Sequence, residues 1–568
     1  MLNEGSAYAG IARGVGAVSK LLKTKYNSCT TWCLCSDWTW LELKLSVVVS
    51  SQHQLWINSM PRRTFRTLTI LAAVLALAAV SLYSLGHVMT SHAASGAAQA
   101  PTQPEVSALH APAAAVNAVS TKDTKKKAEP TQQETPLIVP PDAELHTIAK
   151  GETIPGLLYS YLPRTKFMTK PEFEAALRQA NPGLKGLFPK PGTKVIIPGI
   201  EPQPLVEKSV TVPKDFEVKA VYLTGVMAGS ENGLKIIQHW KQAGGNAVVF
   251  DIKDSDGSLS IPFDNPLAPQ SKHVPIRNLP KFTRYLHSQG LHAIARIAIF
   301  RDEHIATQHP DLAVKSRKTG QPWKENGKQV WTDPSHSEVQ NYDIALAKHV
   351  ADSGADEIQF DYVRFPAEGD QKDAKFMFET EHPKWQRSDV IEDFLAKAHD
   401  ALKQKNVLFS LDVFGVMAWQ RTVDLSHTGQ DIVKMAKHCD VLSPMIYPSH
   451  FFGMDGIAQP GDAPAHFIGE SMDRFVKITA GSGVVLRPWL QAFGWKTKTY
   501  SVDYILTQVK TSNARGGIGF LFWNARNDYS KPFGAMPVMA ANKQMYYHVP
   551  KAAPAASPEP SVPSAGGR

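Results

Sequence analysis

Cysteine is nearly missing from this 568-residue chain. The four present are Cys29, Cys33, Cys35 and Cys439, so three crowd close to the N-terminus. No matching Cys or His pair follows them, which argues against a zinc site. Without the N-terminal segment Cys439 stands alone, and no disulfide framework can be argued. Also missing is any dense Lys/Arg block with interleaved aromatics. The formal net charge is +9, yet the one short basic run is Lys125-Lys-Lys127 in polar surroundings. Nucleic acid is therefore not an expected partner, whereas acidic envelope polymers or a membrane surface suit a basic protein of this kind. No Gly-x-Gly-x-x-Gly follows the first strand of the main domain, and no Gly-Lys-Ser/Thr phosphate loop closes any strand. No cofactor and no metal are expected. Apolar content of 43% and charge of 20% are ordinary for globular material, and the length allows two to four domains.

Long apolar runs are scarce too. The exception is the uncharged run Leu68–Leu85, preceded by Arg62, Arg63 and Arg66 and followed by small residues including Ala93 and Ala97-Ala98. A positive region, an apolar region and small-residue cleavage positions are the parts of a secretory signal. The run is at the lower limit of a spanning helix, so an uncleaved anchor is the alternative. Either way the arginines place the bulk of the chain outside the cytoplasm, giving an exported protein, periplasmic or membrane-anchored. Residues 60–94 are read as this segment, with Met60 as the true start. Residues 1–59, without sustained periodicity, are read as a disordered upstream mis-extension. Residues 95–142 are rich in Ala, Pro, Thr, Gln and Lys and read as a disordered linker. The Ala/Pro/Ser-rich residues 549–568 read as a disordered tail.

Residues 143–200 suggest a small module of strand, turn, helix and second strand. Gly151-Glu152-Thr153, Asn181-Pro182, and Pro191-Gly192 leading to Ile196-Ile197-Pro198 carry a resemblance to the LysM domain. That resemblance implies binding of N-acetylglucosamine-containing glycans such as peptidoglycan. The departure from the family's frame is an extra loop, Leu162–Thr169, where the family's sugar groove is lined.

After a connector at 201–215, strand and helix patterns alternate over 216–548. Strands are expected at Val218–Gly225, Gly245–Ile252, Leu291–Phe300, Asp356–Pro366, Val407–Phe414, Cys439–Tyr447, Val484–Ala492 and Gly516–Trp523. Ile358 and Phe360 alternate with Gln359 and Asp361. Eight such units suggest a (β/α)8 barrel, with a doubly wound open sheet as the competitor. Polar groups collect at or just beyond seven strand ends: Lys253/Asp254, Arg296/Asp302, Asp361/Arg364, Asp412, Tyr447/His450, Gln491 and Asn524. Independent structural ion pairs would not gather at one end of successive strands, whereas a site on the barrel's C-terminal face would. Carboxylates and amides without a cofactor motif suit glycoside hydrolysis, which needs one carboxylic acid and one carboxylate. Trp331, Trp419, Trp489, Trp495 and Trp523 could supply stacking faces for sugars, although core packing is the commoner fate of any one of them.

Val218-Lys-Ala-Val-Tyr-Leu-Thr224, Asp251-Ile-Lys-Asp254, Phe360-Asp-Tyr-Val-Arg-Phe-Pro366, Leu411-Asp-Val-Phe-Gly415 and Ser443-Pro-Met-Ile-Tyr-Pro-Ser-His450 resemble a bacterial family of glycoside hydrolase barrels related to the α-amylase-like clan. Arg487-Pro-Trp-Leu-Gln491 and Phe522-Trp-Asn-Ala525 extend the match, which covers most of 216–530. The resemblance implies an enzyme acting on a polysaccharide or a peptidoglycan-type glycan. Its strand-four nucleophile or charge stabiliser would be Asp361, and its strand-five carboxylate Asp412. In α-amylase-like enzymes the strand-five acid is usually Glu and an Arg precedes the nucleophile by two residues. Here Arg364 follows instead, which leaves the proton donor open among Asp412, Asp254 and Asp302. Arg364, Arg296 and Lys253 are expected to hold Asp361 ionised. Tyr447, His450, Trp489, Gln491, Trp523 and Asn524 are expected to contact sugar, and Asp333 to form a turn. A non-catalytic envelope glycan-binding protein is the alternative from another class. A metal-dependent deacetylase has less support, since no His-x-x-x-His follows a strand-end Asp.

Overall fold

The computed structural model describes residues 138–271 and 273–548. The segments at 1–59 and 60–94, nearly all of the linker at 95–142 and the tail at 549–568 lie outside the described residues. Among the described residues no helix is long and apolar enough to cross a membrane.

The first unit is built on two strands, β1 (Ala143–Thr147) and β2 (Lys194–Pro198), paired antiparallel with Ala143 opposite Pro198. Two helices, α1 (Ile154–Tyr161) and α2 (Lys170–Ala180), fill the connection. The sequence pattern indicated only the second. Helix α1 has eight residues and carries Pro155 and Gly156, so its apolar period is short and its composition unfavourable. It forms because the Thr153 hydroxyl accepts from the Gly156 N–H, and because proline in a first turn has no N–H that the helix needs. Thr169 and Glu172 form a reciprocal capping box on α2. Ile154, Leu157, Phe173, Leu177, Val195 and Ile197 make a closed core. The Asn181 side chain completes it, donating to Ile196 O at 2.7 Å and accepting from Ile196 N at 2.8 Å.

The second unit is a closed parallel barrel. Its staves are β3 (Lys219–Leu223), β4 (Ala247–Lys253), β5 (His292–Ala298), β6 (Glu357–Asp361), β7 (Leu408–Phe414), β8 (Val441–Ile446), a seventh split into β9 (Val485–Leu486) and β10 (Trp489–Gln491), and β11 (Phe520–Trp523). Pairing of β11 with β3 and of β7 with β8 closes the ring, so the open-sheet alternative is set aside. The helices around it are α3 (Glu231–Gln242), α4 (Leu279–Ser288), α5 (Ser337–Asp352), α6 (Arg387–Lys403), α7 (Pro464–Ile478), α8 (Val502–Ala514) and α9 (Ser530–Ala541). The seventh stave was expected as one run. It breaks at Arg487-Pro488, because proline has no N–H to donate to a neighbouring strand.

The loop between α1 and α2 rests on α4 and the residues before it. Lys281 donates to the carbonyls of Leu162, at 2.5 Å, and Phe167. Asn278 donates to Pro163 O at 2.9 Å, and Arg277 to Tyr159 O.

Strand alternation divides the barrel's side chains into two systems. Outward-facing residues pack on the helices; Phe360, for example, meets Phe394 of α6 and Phe409. Inward-facing Ala220, Tyr222, Val249, Ile294, Trp489 and Leu521 form a separate interior cluster. Barrel interiors are usually filled with branched apolar chains, but here β6 sends Glu357, Gln359 and Asp361 inward. At the N-terminal end Glu357 meets Arg487 at 2.8 Å and His292 at 3.2 Å, all three buried. Burial opposes the charge of Glu357, yet Arg487 and His292 outweigh it and take the carboxyl down to about 2. Its stabilising contribution is therefore present above the ordinary carboxylate range and lost as pH falls toward 2.

Arg487→Met leaves the Glu357 charge buried beside His292 alone, and loss of one partner of a buried pair costs about 3–5 kcal/mol. Urea unfolding at neutral pH should show this loss, and Arg487→Met combined with Glu357→Leu should recover most of it. A single variant within about 0.5 kcal/mol of the parent, the range of ordinary surface changes, would contradict the assignment.

Candidate active site

At the opposite, C-terminal end of the barrel the interior becomes a charged network centred on Arg296 of β5. Arg296 sits opposite Asp251 of β4 in register, and its Nη1 donates to Asp251 Oδ1 at 2.5 Å. Its Nη2 and Nε donate to Asp361 Oδ2 at 2.6 and 3.2 Å. Its Nε also lies 3.9 Å from Asp412 Oδ2. Arginine's planar fork can address several carboxylates at once, as a lysine ammonium cannot. Burial works against the guanidinium's charge, but Asp251 and Asp361 raise its pKa further still.

The three carboxylates occupy unlike surroundings. Asp251 Oδ2 accepts from the Tyr222 hydroxyl, and burial, opposed by Arg296 and aided by Asp254, brings its pKa to about 6. Asp361 takes two guanidinium N–H groups on one oxygen, and its other oxygen accepts from the Tyr362 N–H at 2.6 Å. Tyr362 has φ of 55°, a left-handed conformation that costs a non-glycine residue of order 1–3 kcal/mol and gathers at functional sites. Asp412 Oδ1 accepts from Gln359 at 2.8 Å and from Trp489 Nε1 at 2.7 Å, while Oδ2 has no partner. Burial first and the Asp361 charge second push the Asp412 pKa well up, against Arg296. One guanidinium thus serves two neighbouring carboxyl groups with different hydrogen-bond partners.

Arg296, Asp361 and Asp412 floor a cavity of about 400 Å³. Its walls are largely aromatic, with Tyr362, Phe414, Tyr447, Phe451 and Trp523 among them. Gly415 is required in the wall, since a Cβ there would lie 2.6 Å from Met445 O. His450 joins the wall, and burial followed by the Lys496 charge lowers its pKa, favouring the neutral ring. Tyr447 is kept protonated by burial and by the carboxylates below it.

The residues anticipated from sequence divide into two sets. Arg296, Asp361, Asp412, Tyr447, His450, Trp489 and Trp523 line this one cavity. Lys253 and Asp302 do not: both are buried in a closed triad with Asp343 of α5, at 3.1 and 2.7 Å from the Lys253 ammonium. The cause is a register shift between Asp251 and Lys253, which breaks the alternation that would have kept the two on one face. Asp302 also caps the helix Glu303–Gln308. Asp254 is exposed in a turn, accepting from the Ser255 N–H at 2.6 Å. Arg364 does not hold Asp361; its guanidinium lies over the rings of Trp331, Tyr362 and Phe414 and donates to Phe365 O. Gln491 and Asn524 are spent on loop carbonyls, at Phe493 for the first and at Ala492 and Asp528 for the second. Asp333 forms a turn by accepting from the Ser335 N–H, and its other oxygen accepts from the distant Met377 N–H. Asp251, Tyr222 and Gln359 escaped notice as site residues, although each falls on an inward-facing position of its strand. Among the described residues no group of three or more His, Cys, Asp or Glu side chains is placed to hold a metal ion.

Residues 220–529 match the model of a family described as "Putative glycosyl hydrolase domain". A hypothetical protein from Ruminiclostridium thermocellum is 34% identical over 34% of this chain and 97% of its own, with a TM-score of 0.30. The PgaB (BpsB) glycoside hydrolase domain from Bordetella bronchiseptica is 13% identical over 58% of this chain and 99% of its own, with a TM-score of 0.44. A chitinase from Chromobacterium violaceum is 13% identical over 57% of this chain and 99% of its own, with a TM-score of 0.37. No curated protein matches the chain.

A carboxyl whose folded pKa is raised contributes stability below its unfolded pKa and loses it as pH rises through the folded value. Asp412→Asn should therefore flatten the decline in stability between mildly acidic and alkaline pH. Asp361→Asn, by removing the neighbouring charge, should move the Asp412 part of that decline to lower pH. Urea titrations at several pH values read both, and a decline unchanged in Asp412→Asn would refute the environment assigned to it.

Proposed function

Because this chain belongs to the glycosyl hydrolase domain family matched over 220–529, we propose that its barrel cleaves glycosidic bonds of a polysaccharide with Asp361 and Asp412. The observation that carries this reading is the convergence of both carboxyl groups on Arg296 at the floor of an aromatic-walled cavity. Glycoside hydrolysis needs one carboxyl protonated and one ionised, side by side. Arg296 donates two N–H groups to Asp361, while burial and the Asp361 charge favour the protonated form of Asp412.

In the proposed reaction the Asp412 proton resides on Oδ2, the oxygen without a hydrogen-bond partner. It passes to the glycosidic oxygen as the bond to the anomeric carbon breaks and the leaving sugar departs as an alcohol. The Asp361 carboxylate faces the developing positive charge on the ring, as nucleophile or as charge stabiliser, and water supplies the final hydroxyl while its other proton returns to Asp412. Asp251 and Tyr222 act through Arg296, orienting its fork. Trp523 and Tyr447 offer faces for sugar rings.

The first unit, with its β-α-α-β order, is read as a LysM-type glycan-binding module. Together with the signal or anchor reading of 60–94, it favours a cell-envelope glycan, amino-sugar-containing, met outside the cytoplasm. A non-catalytic glycan-binding protein is the alternative, favoured by one feature: Asp412 is only 1% exposed.

Purified protein incubated with peptidoglycan and with glucosamine polymers should release new reducing ends. Asp361→Asn and Asp412→Asn should each lower kcat by about 10²–10⁴-fold, the usual weight of a positioned acid or base. Asp412→Asn should also remove the loss of activity at high pH, because the acid works only while protonated. Asp254→Asn should keep activity near that of the parent. Retained glycan binding with no product from any polymer would sink the hydrolase reading in favour of the binding one.

A further inference from the structure

A second cavity, about 820 Å³, opens where the α1–α2 loop meets the barrel. Tyr159, Met168 and Lys170 line one side of it, and the start of α3 and the segment leading into α4 line the other. Those barrel segments follow the C-terminal ends of β3 and β4, so this seam and the carboxylate pocket lie at the same end of the barrel.

The charge balance of the seam is one-sided. Lys170, Arg277 and Lys281 line it, and Glu231 is the one carboxylate among its lining residues. Lys281 is only 8% exposed. Its ammonium has three N–H groups, two of which are taken by the Leu162 and Phe167 carbonyls. Among the described residues nothing accepts the third, and no carboxylate lies within ion-pair distance. A buried cation without a counter-ion is the state that an anion relieves most strongly. Burial accordingly lowers its pKa to about 8, with Glu201 and Glu172 opposing only in part. Around it lie apolar faces, Met168 and Pro275, and the exposed amide of Asn232. A carboxylate on an otherwise neutral, amphipathic body fits this set, and an inorganic anion would leave the apolar faces unused.

We propose that the seam binds a carboxylate-bearing oligosaccharide, whose acid group completes the hydrogen bonding of Lys281 while its ring lies against Met168 and Pro275. The requirement for an anion rests on Lys281, and the choice of a sugar as its carrier rests on the proposed glycosidase reading. The polymer attacked is then an acidic one, held beside the site that cuts it.

The test uses the full chain carrying Asp361→Asn, so that binding is measured without turnover. Isothermal titration with tetragalacturonate should show binding that weakens with salt, and neutral cellotetraose should bind at least tenfold more weakly. Lys281→Gln keeps N–H donors for the two carbonyls but removes the charge. Asn232→Trp fills the cavity from an exposed position of α3. Each should weaken tetragalacturonate binding at least tenfold, with the melting curve of Asn232→Trp unchanged. Equal affinity for the two tetramers, no binding of the acidic one, or full affinity in Asn232→Trp would each overturn the proposal. Failure here would leave the release of reducing ends untouched, and failure of that release would leave this titration readable.

Discussion

A guanidinium placed inside a parallel barrel has to be answered by negative charge, and much of this structure follows from how Arg296 is answered. The desolvation of one buried arginine is large, and a single carboxylate would offset it only with excellent geometry. Here Asp251 and Asp361 share the fork from neighbouring strands, and Asp412 approaches its Nε side. Three carboxyl groups around one cation cannot all be ionised at low cost. Burial first, with the Asp254 charge at Asp251 and the Asp361 charge at Asp412, raises both of these carboxyl groups. An asymmetric pair of acids thus results from counting charges in a dry space, before any substrate arrives.

The same logic operates twice more, in places without a cavity. Glu357, Arg487 and His292 close the N-terminal end, and Lys253, Asp302 and Asp343 close a gap between barrel and helix. Both clusters are sealed, although Asp343 Oδ2, His292 Nδ1 and Arg487 Nε lack partners there, as Asp412 Oδ2 does in the Arg296 network. The Arg296 network differs in opening onto aromatic walls. A left-handed Tyr362 beside an open cavity marks this cluster as the one shaped by something other than stability.

The barrel was legible because each stave carries a short apolar run ended by turn residues, and eight such runs admit few topologies. The identity of the inward face on β6 was legible for the same reason, from Ile358 and Phe360 alternating with Gln359 and Asp361. Lys253 was misplaced because a register shift after Asp251 is a backbone event with no compositional mark. Arg296 reaches Asp361 as expected, because strands β5 and β6 are neighbours, whereas Arg364, expected there on proximity in sequence, turns onto aromatic rings instead. Gln491 and Asn524 stand at strand ends as expected, but loop carbonyls reach them first, and the folding of loops leaves no periodic trace. Helix α1 was hidden by its length, its one clear sign being Thr153 ahead of Pro155.

The joint between the first unit and the barrel is made largely of side chains on one side and main chain on the other. Lys281, Asn278 and Arg277 reach for carbonyl oxygens of Tyr159, Leu162, Pro163 and Phe167, groups that every residue type possesses. Such contacts recognise the path of the loop rather than its lettering, with Tyr159 as the exception, since its hydroxyl meets His273 at 2.8 Å and its ring lies under Arg277. Substitution over 162–167 leaves the main-chain acceptors in place, but a single insertion or deletion there moves the oxygens out of step with their donors. The joint is thereby free in spelling along most of the loop and bound in length.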